Sequence, residues 1–271
     1  MSEVAPGFAA RTGRGLARVM HSGLRLRRDL VESQIAESFP ERGPDWVSRT
    51  GRACYRHFGE EFALLAGGRR AIEAAIPRID ATGVVEDLYR IAGGSAASVV
   101  VTGHIGNWEL AAAYAAVSGV PVTAVARRQG GRFGRRLHAV REAAGVEIID
   151  HDGGAGPVIR ALRAGRCVTL VADQHAIRGA RPMPFLGRPA WTRLGPARLA
   201  AAAGVPLVFA ALLREDEGYR FEWRPLPREV VEDEDAVTVT RMWVSYLEEA
   251  VKRRPEQYFW FHERWKQIRQ Q

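Results

Sequence analysis

The sequence predicts an α/β fold, with a mostly parallel central sheet flanked by helices, behind a helical N-terminal segment. Three observations carry this expectation. Beyond Gly93 and Gly94, short β-branched runs alternate with alanine-rich stretches at about the spacing of strand–helix units. Up to about Arg90 the patterning is helical throughout. Apolar residues make up 46% of the 271 positions, enough to bury one sizeable core.

The helical segment, 1–90, opens on a basic amphipathic pattern. Leu16, Val19, Met20 and Leu24 recur at helical spacing among Arg14, Arg18, Arg25, Arg27 and Arg28. Such a helix suits two settings, an anionic bilayer surface or the protein's own core. A turn over 39–44 separates it from a second helical region at 46–65. In the α/β core, 91–271, strands are expected at 98–102, 120–126, 146–150, 167–172 and 205–213. Helices are expected between them at 108–117, 133–144, 155–164 and 194–203. A last amphipathic helix carries Val239, Met242, Tyr246 and Ala250 at helical spacing and stops before Pro255. No internal repeat or low-complexity run interrupts the chain, so the two segments are expected to form one compact domain.

Lys and Arg total 39 against 31 Asp and Glu, a formal charge of +8, and only Lys252 and Lys266 are lysines. Genomic coding bias explains such a preference in bulk; at particular sites, arginine forks suit bidentate binding of phosphate or carboxylate. Cys54 and Cys167 lie far apart and outside any C-x-x-C pattern, so neither a disulfide framework nor a structural zinc site is expected, and a reducing compartment fits best. His138, His151, His175 and His262 are scattered without metal-ligand spacing, and no metal is expected.

The most apolar stretches, 110–126 and 199–213, are broken by Gly119 with Pro121 and by Gly204 with Pro206, so no spanning helix is expected. Arg11, Arg14 and Arg18 interrupt any secretory apolar core, and no export is expected. Trp191, Trp223, Trp243, Trp260 and Trp265 are expected as core or interface anchors. No basic stripe interleaved with aromatics is present, and the positive charge matches anionic lipid better than nucleic acid.

The segment richest in chemistry is Val99-Val100-Val101-Thr102-Gly103-His104-Ile105-Gly106-Asn107-Trp108-Glu109-Leu110. A buried strand runs into a glycine turn and then a helix that Asn107 caps, which places Glu109 in the first turn, where the helix dipole favours a carboxylate. Two residues five apart in one helix point about 140° away from each other, so His104 and Glu109 meet only if His104 lies outside the helix. From there Glu109 reaches one imidazole nitrogen and leaves the other free as a base. The bland alternative is a histidine that satisfies backbone groups in a tight loop and a glutamate that only complements the dipole. No G-x-S-x-G elbow and no phosphate-binding P-loop is present.

His104-Ile-Gly-Asn-Trp-Glu109 resembles the H-x-G-N-W-E form of the histidine-x4-acid motif of the bacterial lipid A late acyltransferases, in the lysophospholipid acyltransferase superfamily. Three further segments agree in order. Glu37-Ser38-Phe39-Pro40-Glu41 resembles that family's S-F-P-E turn, and Ala172-Asp173-Gln174 followed by Pro184-Phe185-Leu186-Gly187-Arg188 resembles its D-Q-x…P-F-F-G stretch. The ending Trp260-Phe261-His262-Glu263-Arg264-Trp265-Lys266 is similar to its W-x-H-x-R-W/F-K terminus. The likeness runs from about Leu24 to Lys266. It departs from the family at the Arg-rich N-terminus, where an apolar anchoring helix is usual, and at His175, where an acidic residue is common.

The resemblance implies a glycerol-3-phosphate acyltransferase-like core that moves a fatty acyl chain from acyl carrier protein or acyl-coenzyme A to a hydroxyl of a lipid A precursor. The thioester is a co-substrate and no cofactor is implied. His104 would act as general base oriented by Glu109, with oxyanion donors from a backbone amide near Gly106 or an arginine. Asn107, Arg127, Arg141, Asp173 and Gln174 would bind substrate; Arg127 and Asp173 each follow a predicted strand, at the sheet edge where ligands bind in open α/β folds. For both arginines a surface salt bridge is the alternative. The protein would sit peripherally on the cytoplasmic face of the bacterial inner membrane. Another glycolipid acceptor, such as a phosphatidylinositol mannoside, would need no change in the dyad, and a non-catalytic lipid-binding protein is a third reading.

Overall fold

A computed structural model describes residues 6–127, 130–216, 218–233 and 235–266. The extreme ends of the two expected segments, 1–5 and 267–271, lie outside the described residues. The protein is α/β, with a seven-stranded, mostly parallel sheet flanked by helices and a helical segment ahead of it.

The N-terminal part contains α1 (Pro6–Arg18), a π-helical turn (Val19–Gly23), α2 (Arg28–Ser38), α3 (Pro44–Ala66), α4 (Arg69–Ala75), β1 (Ile79–Asp80) and α5 (Val84–Ile91). The first turn of α3 begins with Pro44, whose missing N–H costs nothing at that position. Helix α1 crosses α3 closely: a Cβ on Gly13 would stand 2.5 Å from backbone atoms of Gly59 and Glu60. The helical expectation for this region misses β1, which is only two residues long and exists through its pairing with a strand far along the chain.

Four strand–helix units and a fifth strand follow: β2 (Ser98–Thr102), α6 (Trp108–Val117), β3 (Val122–Ala126), α7 (Gly131–Ala143), β4 (Glu147–Asp150), α8 (Ala155–Arg163), β5 (Cys167–Val171), the hairpin β6 (Ala180–Phe185) and β7 (Arg188–Arg193), α9 (Gly195–Ala203) and β8 (Leu207–Arg214). The chain closes with β9 (Tyr219–Pro225), α10 (Arg228–Asp233) and α11 (Ala236–Arg253). The five expected strands and the helices between them are all present, with ends shifted by a residue or two. The hairpin and β9 were not anticipated.

The sheet order is β1-β9-β8-β2-β5-β3-β4, parallel except where β9 meets β8. Strand β5 therefore lies between β2 and β3, and the carboxyl ends of β2 and β5 are neighbours, with Thr102 opposite Val171. Strand β2 is buried along its whole length, which is why it reads as an unbroken β-branched run. One sheet face, carrying Val99, Val101, Val168 and Phe209, packs under α8, α9 and α11. The other, carrying Val100, Cys167, Val208 and Ala210, packs under α5 and α6.

The hairpin turn at Leu186 and Gly187 has φ of +50° and +73°, the left-handed pair that matches the twist of two-residue hairpins. It also joins distant motifs. The Arg188 guanidinium pairs with Glu37, donates to Ser38 Oγ at 2.9 Å and lies 3.6 Å from the Trp265 ring centroid. Three of the recognisable segments thus meet at one arginine and tie α2, the hairpin and the C-terminal tail together.

Candidate active site

His104 follows β2 in a loop whose backbone is tied on three sides. Gly106 N–H donates to Gln257 O and Asn107 N–H to Leu212 O, both at 2.9 Å, while Phe259 N–H donates to His104 O at 2.8 Å. Gly106 has φ +60°, and a Cβ there would stand 2.0 Å from Leu212 O, so the loop needs glycine to pass against β8. Asn107 caps α6 as expected, its Oδ1 accepting from Leu110 N–H at 2.8 Å.

The partner of His104 differs from the expectation. Its Nδ1 lies 2.6 Å from Asp173 Oδ1, and its Nε2 is 3.3 Å from the Gln174 amide nitrogen. Glu109, expected to hold the ring, instead pairs with Arg141, whose Nε donates to Glu109 Oε2 at 2.7 Å and whose terminal nitrogen also bonds the carboxylate. The Trp108 indole N–H adds a further bond to Glu109 at 3.1 Å. The physical reason is register: parallel pairing of β2 with β5 delivers Asp173 beside His104, whereas the first turn of α6 aims Glu109 toward α7.

Asp173 is 2% exposed. Burial alone would raise its carboxyl, but the His104 charge and hydrogen bond, with the Arg264 guanidinium behind them, hold it down at about 2. The Tyr258 phenol is pushed far up by burial and then by the Asp173 charge. Arg264 is itself buried, donating to Trp191 O at 2.8 Å and Thr192 Oγ1 at 2.5 Å. Tyr258 lies outside the recognisable segments and Arg264 inside the last of them, but nothing local to either marks it as a neighbour of Asp173. With an ionised acid on Nδ1, the imidazole keeps Nε2 as the basic nitrogen, facing Gln174. The ring is flanked by Trp108, 4.9 Å away between centroids, and Phe259, 6.0 Å away.

The other expected substrate-binding residues are placed differently. Asn107 is 3% exposed, its two side-chain ends committed to Leu110 N–H and to Glu61, so it is not aimed at a ligand. Asp173 is likewise buried against His104 and is not among the cavity-lining residues. Arg127, Arg141 and Gln174 line the cavity beside His104. An oxyanion donor near Gly106 is also corrected, since the backbone N–H groups of Ile105, Gly106 and Asn107 are all spent within the fold.

His104 stands at the mouth of a cavity of ≈ 770 Å³. Its lining divides by the two faces of the sheet. On the α5–α6 side it is apolar, with Leu88, Val100, Ala112, Ala115, Phe221 and Trp223. Around the carboxyl edge it is polar and basic, with Arg127, His151, Gln174, His175 and Arg193, and it continues to Gly195 and Pro196 at the start of α9. Among the described residues no group of three or more His, Cys, Asp or Glu side chains could hold a metal ion.

A sheet with this site at its carboxyl edge defines an α/β protein built around a histidine–acid pair and a deep apolar cavity. The profile of the bacterial lipid A biosynthesis acyltransferases matches residues 71–267, and the chain belongs to that family. Phosphatidylinositol mannoside acyltransferase of Mycolicibacterium smegmatis is 27% identical to it over 200 residues, 72% of this chain and 64% of the relative. The protein of the same description from Mycobacterium tuberculosis is 26% identical over 206 residues, 74% of this chain and 64% of the relative. The match thus spans just under two thirds of the length of these relatives.

Proposed function

We propose that this protein moves a fatty acyl group from an acyl thioester to a hydroxyl of a glycolipid. The observation that carries the reading is the His104–Asp173 pair at the mouth of a cavity with an apolar arm. His104 Nε2 takes the proton of the acceptor hydroxyl as its oxygen attacks the thioester carbonyl. The C–O bond forms, the C–S bond breaks, and the imidazolium returns the proton to the leaving thiolate. Asp173 holds the ring and offsets the imidazolium charge. Arg127, Gln174 and Arg193 are among the cavity-lining donors available to meet the oxyanion or the polar parts of either substrate.

The apolar arm suits a fatty chain. It follows β5 from Val171 down to Cys167, about 13 Å at the rise of a strand. An extended chain of single bonds advances ~1.2 Å per bond, so that length takes roughly ten carbons, with further room toward Phe221 and Trp223.

Two acceptors are in play. The family description favours a lipid A precursor, and the descriptions of the mycobacterial relatives favour a phosphatidylinositol mannoside. Acyl carrier protein and coenzyme A present the same thioester arm. We place the protein peripherally on the cytoplasmic face of the inner membrane. Leu16, Val19, Leu24 and Leu26 are exposed beside Arg18 and Arg25, an apolar and basic surface that matches anionic lipid. Among the described residues no helix is long and apolar enough to cross a membrane.

The test is mass spectrometry of products after incubating the purified protein with a deuterated acyl-coenzyme A or acyl carrier protein and each acceptor in turn. Deuterated acyl chain on one acceptor, absent with His104→Ala, supports transfer and names that acceptor. Equal product from His104→Ala overturns the base. Binding of both lipids without transfer promotes the lipid-binding reading.

A further inference from the structure

Beneath the His104 loop lies a carboxylate that the proposed chemistry does not use. Glu61, on α3, is 3% exposed. Asn107 Nδ2 donates to its Oε2 at 2.5 Å, the Tyr219 hydroxyl donates to the same oxygen at 2.9 Å, and Arg214 stands 3.4 Å from Oε1. The buried His57 ring completes the group, its Nδ1 3.9 Å from Glu61 and its Nε2 3.4 Å from Gly106 O. Burial raises the Glu61 carboxyl, and Arg214, Asn107 and Tyr219 oppose that rise. A carboxyl group buried here is costly to desolvate, and the bonds from Asn107 and Tyr219 together with the Arg214 charge offset that cost.

The bond from Asn107 explains why this cap is an asparagine. Capping α6 needs only an acceptor, and Asp or Ser would cap as well as Asn. What Asn107 adds is an N–H donor at the other end of the same amide, and that donor is spent on Glu61. The amide thus pins the junction between the loop and α6 to α3, three residues after His104. Arg214, beside Glu61, is held in turn by Glu60 at 2.5 Å and by Gln257, whose amide bridges the Arg214 backbone while its carbonyl receives Gly106 N–H.

Building on His104 as the base, we infer that Glu61 is a positioning residue: its bond to Asn107 fixes the loop so that His104 meets Asp173 and the cavity mouth in one geometry. A displacement of about 1 Å at a reacting group costs on the order of 100-fold in rate.

Asn107→Asp tests this, because it keeps the cap acceptor and sets a second carboxylate against Glu61. The expected result is a kcat lower by about 100-fold, a KM within a few-fold of wild type, and loss of the downfield proton resonance of the His104 Nδ1–H bonded to Asp173. The double variant Asn107→Asp with Glu61→Gln reverses the polarity of the bond: the new amide nitrogen, in place of Oε2, donates to the new carboxylate, while the amide oxygen, in place of Oε1 and 3.2 Å from the Tyr219 hydroxyl, accepts from Tyr219. It is expected to recover kcat to within about tenfold of wild type and to restore the resonance. Asn107→Ser, an uncharged cap without the donor, is expected to show the same loss in milder form if Asn107→Asp does not fold. Wild-type kcat and resonance in either single variant overturn the inference. So does a double variant that regains the wild-type melting temperature without regaining the resonance. The resonance needs no substrate, so it reads the loop geometry even if the protein transfers no acyl group.

Discussion

His104 Nδ1 lies 2.6 Å from Asp173 Oδ1 although 69 positions separate the two residues. Adjacent parallel strands bring them together: Ala172 N–H donates to Thr102 O at 2.9 Å, so the residues that follow each strand leave the sheet side by side. Glu109, five residues from His104, is turned away and neutralised by Arg141. Asp173→Asn should therefore lower kcat by about 10³-fold or more, because it forces the wrong tautomer on the ring. Glu109→Gln should cost less in kcat, since it breaks an ion pair one step removed from the imidazole. Steady-state kinetics on both decides, and a larger loss in Glu109→Gln would return the orienting role to Glu109.

The apolar arm runs along α6, where Ala115 lies about 10 Å beyond Trp108 by helix rise. Ala115→Leu should fill the deep end only. Turnover of long-chain donors is expected to fall by roughly tenfold or more, from the ~1–3 kcal/mol that overpacking costs, while short-chain donors keep theirs. Competition between donors of different length in one reaction measures the ratio. An unchanged ratio would mean that the chain lies elsewhere.

Burial holds the His57 imidazole at about 4, against an ordinary 6.5, with the Arg214 charge adding to the burial and the Gly106 carbonyl and the Glu60 and Glu256 charges opposing it. The native state resists a proton that the unfolded chain accepts. The contribution to stability is therefore complete above about 6.5 and is lost as pH falls toward 4, on the order of 3 kcal/mol over the window. His21, His175 and His262 are also lowered and act in the same direction. Urea unfolding across this range should show a shallower acid loss for His57→Gln than for wild type. Parallel curves would sink the assignment.

Leu24 is 71% exposed and Val19 55%. If these side chains enter a bilayer, Val19→Asp with Leu24→Asp should weaken binding to anionic vesicles by roughly 10²- to 10⁴-fold, from ~1.5–3 kcal/mol for each buried apolar side chain. Added salt should weaken binding of the wild type through its arginines. Vesicle flotation reads both, and equal flotation of the variant would place the membrane contact on another surface.

Local patterning carried β2 and α6 to the residue, because a strand buried on both faces reads as unbroken Val and Thr, and an alanine-rich helix with an Asn cap has both its start and its composition in view. The hairpin was obscured by Pro182, Pro184 and Pro189, which argue against a central strand but are tolerated in a two-stranded ribbon outside the main sheet. Strand β9 had a readable signal, since Tyr219, Phe221 and Trp223 alternate with Arg220, Glu222 and Arg224. Among site residues, His104 and the cap at Asn107 were legible from their own neighbours. The buried cluster of Glu61, Tyr219 and Arg214 was not, because its members come from α3, β9 and β8 and carry no shared spacing.

The sequence by itself determined the α/β class, the strand–turn–helix that presents His104 and the asparagine that caps that helix. These depend on backbone periodicity, capping and turn chemistry, which act over a few residues. Only the tertiary structure decided which acid serves His104, that Arg141 occupies Glu109, and that Asn107 is held by Glu61. Those pairings follow from strand order, from the register of β2 on β5 and from the docking of α3, which are settled by burial of the whole core.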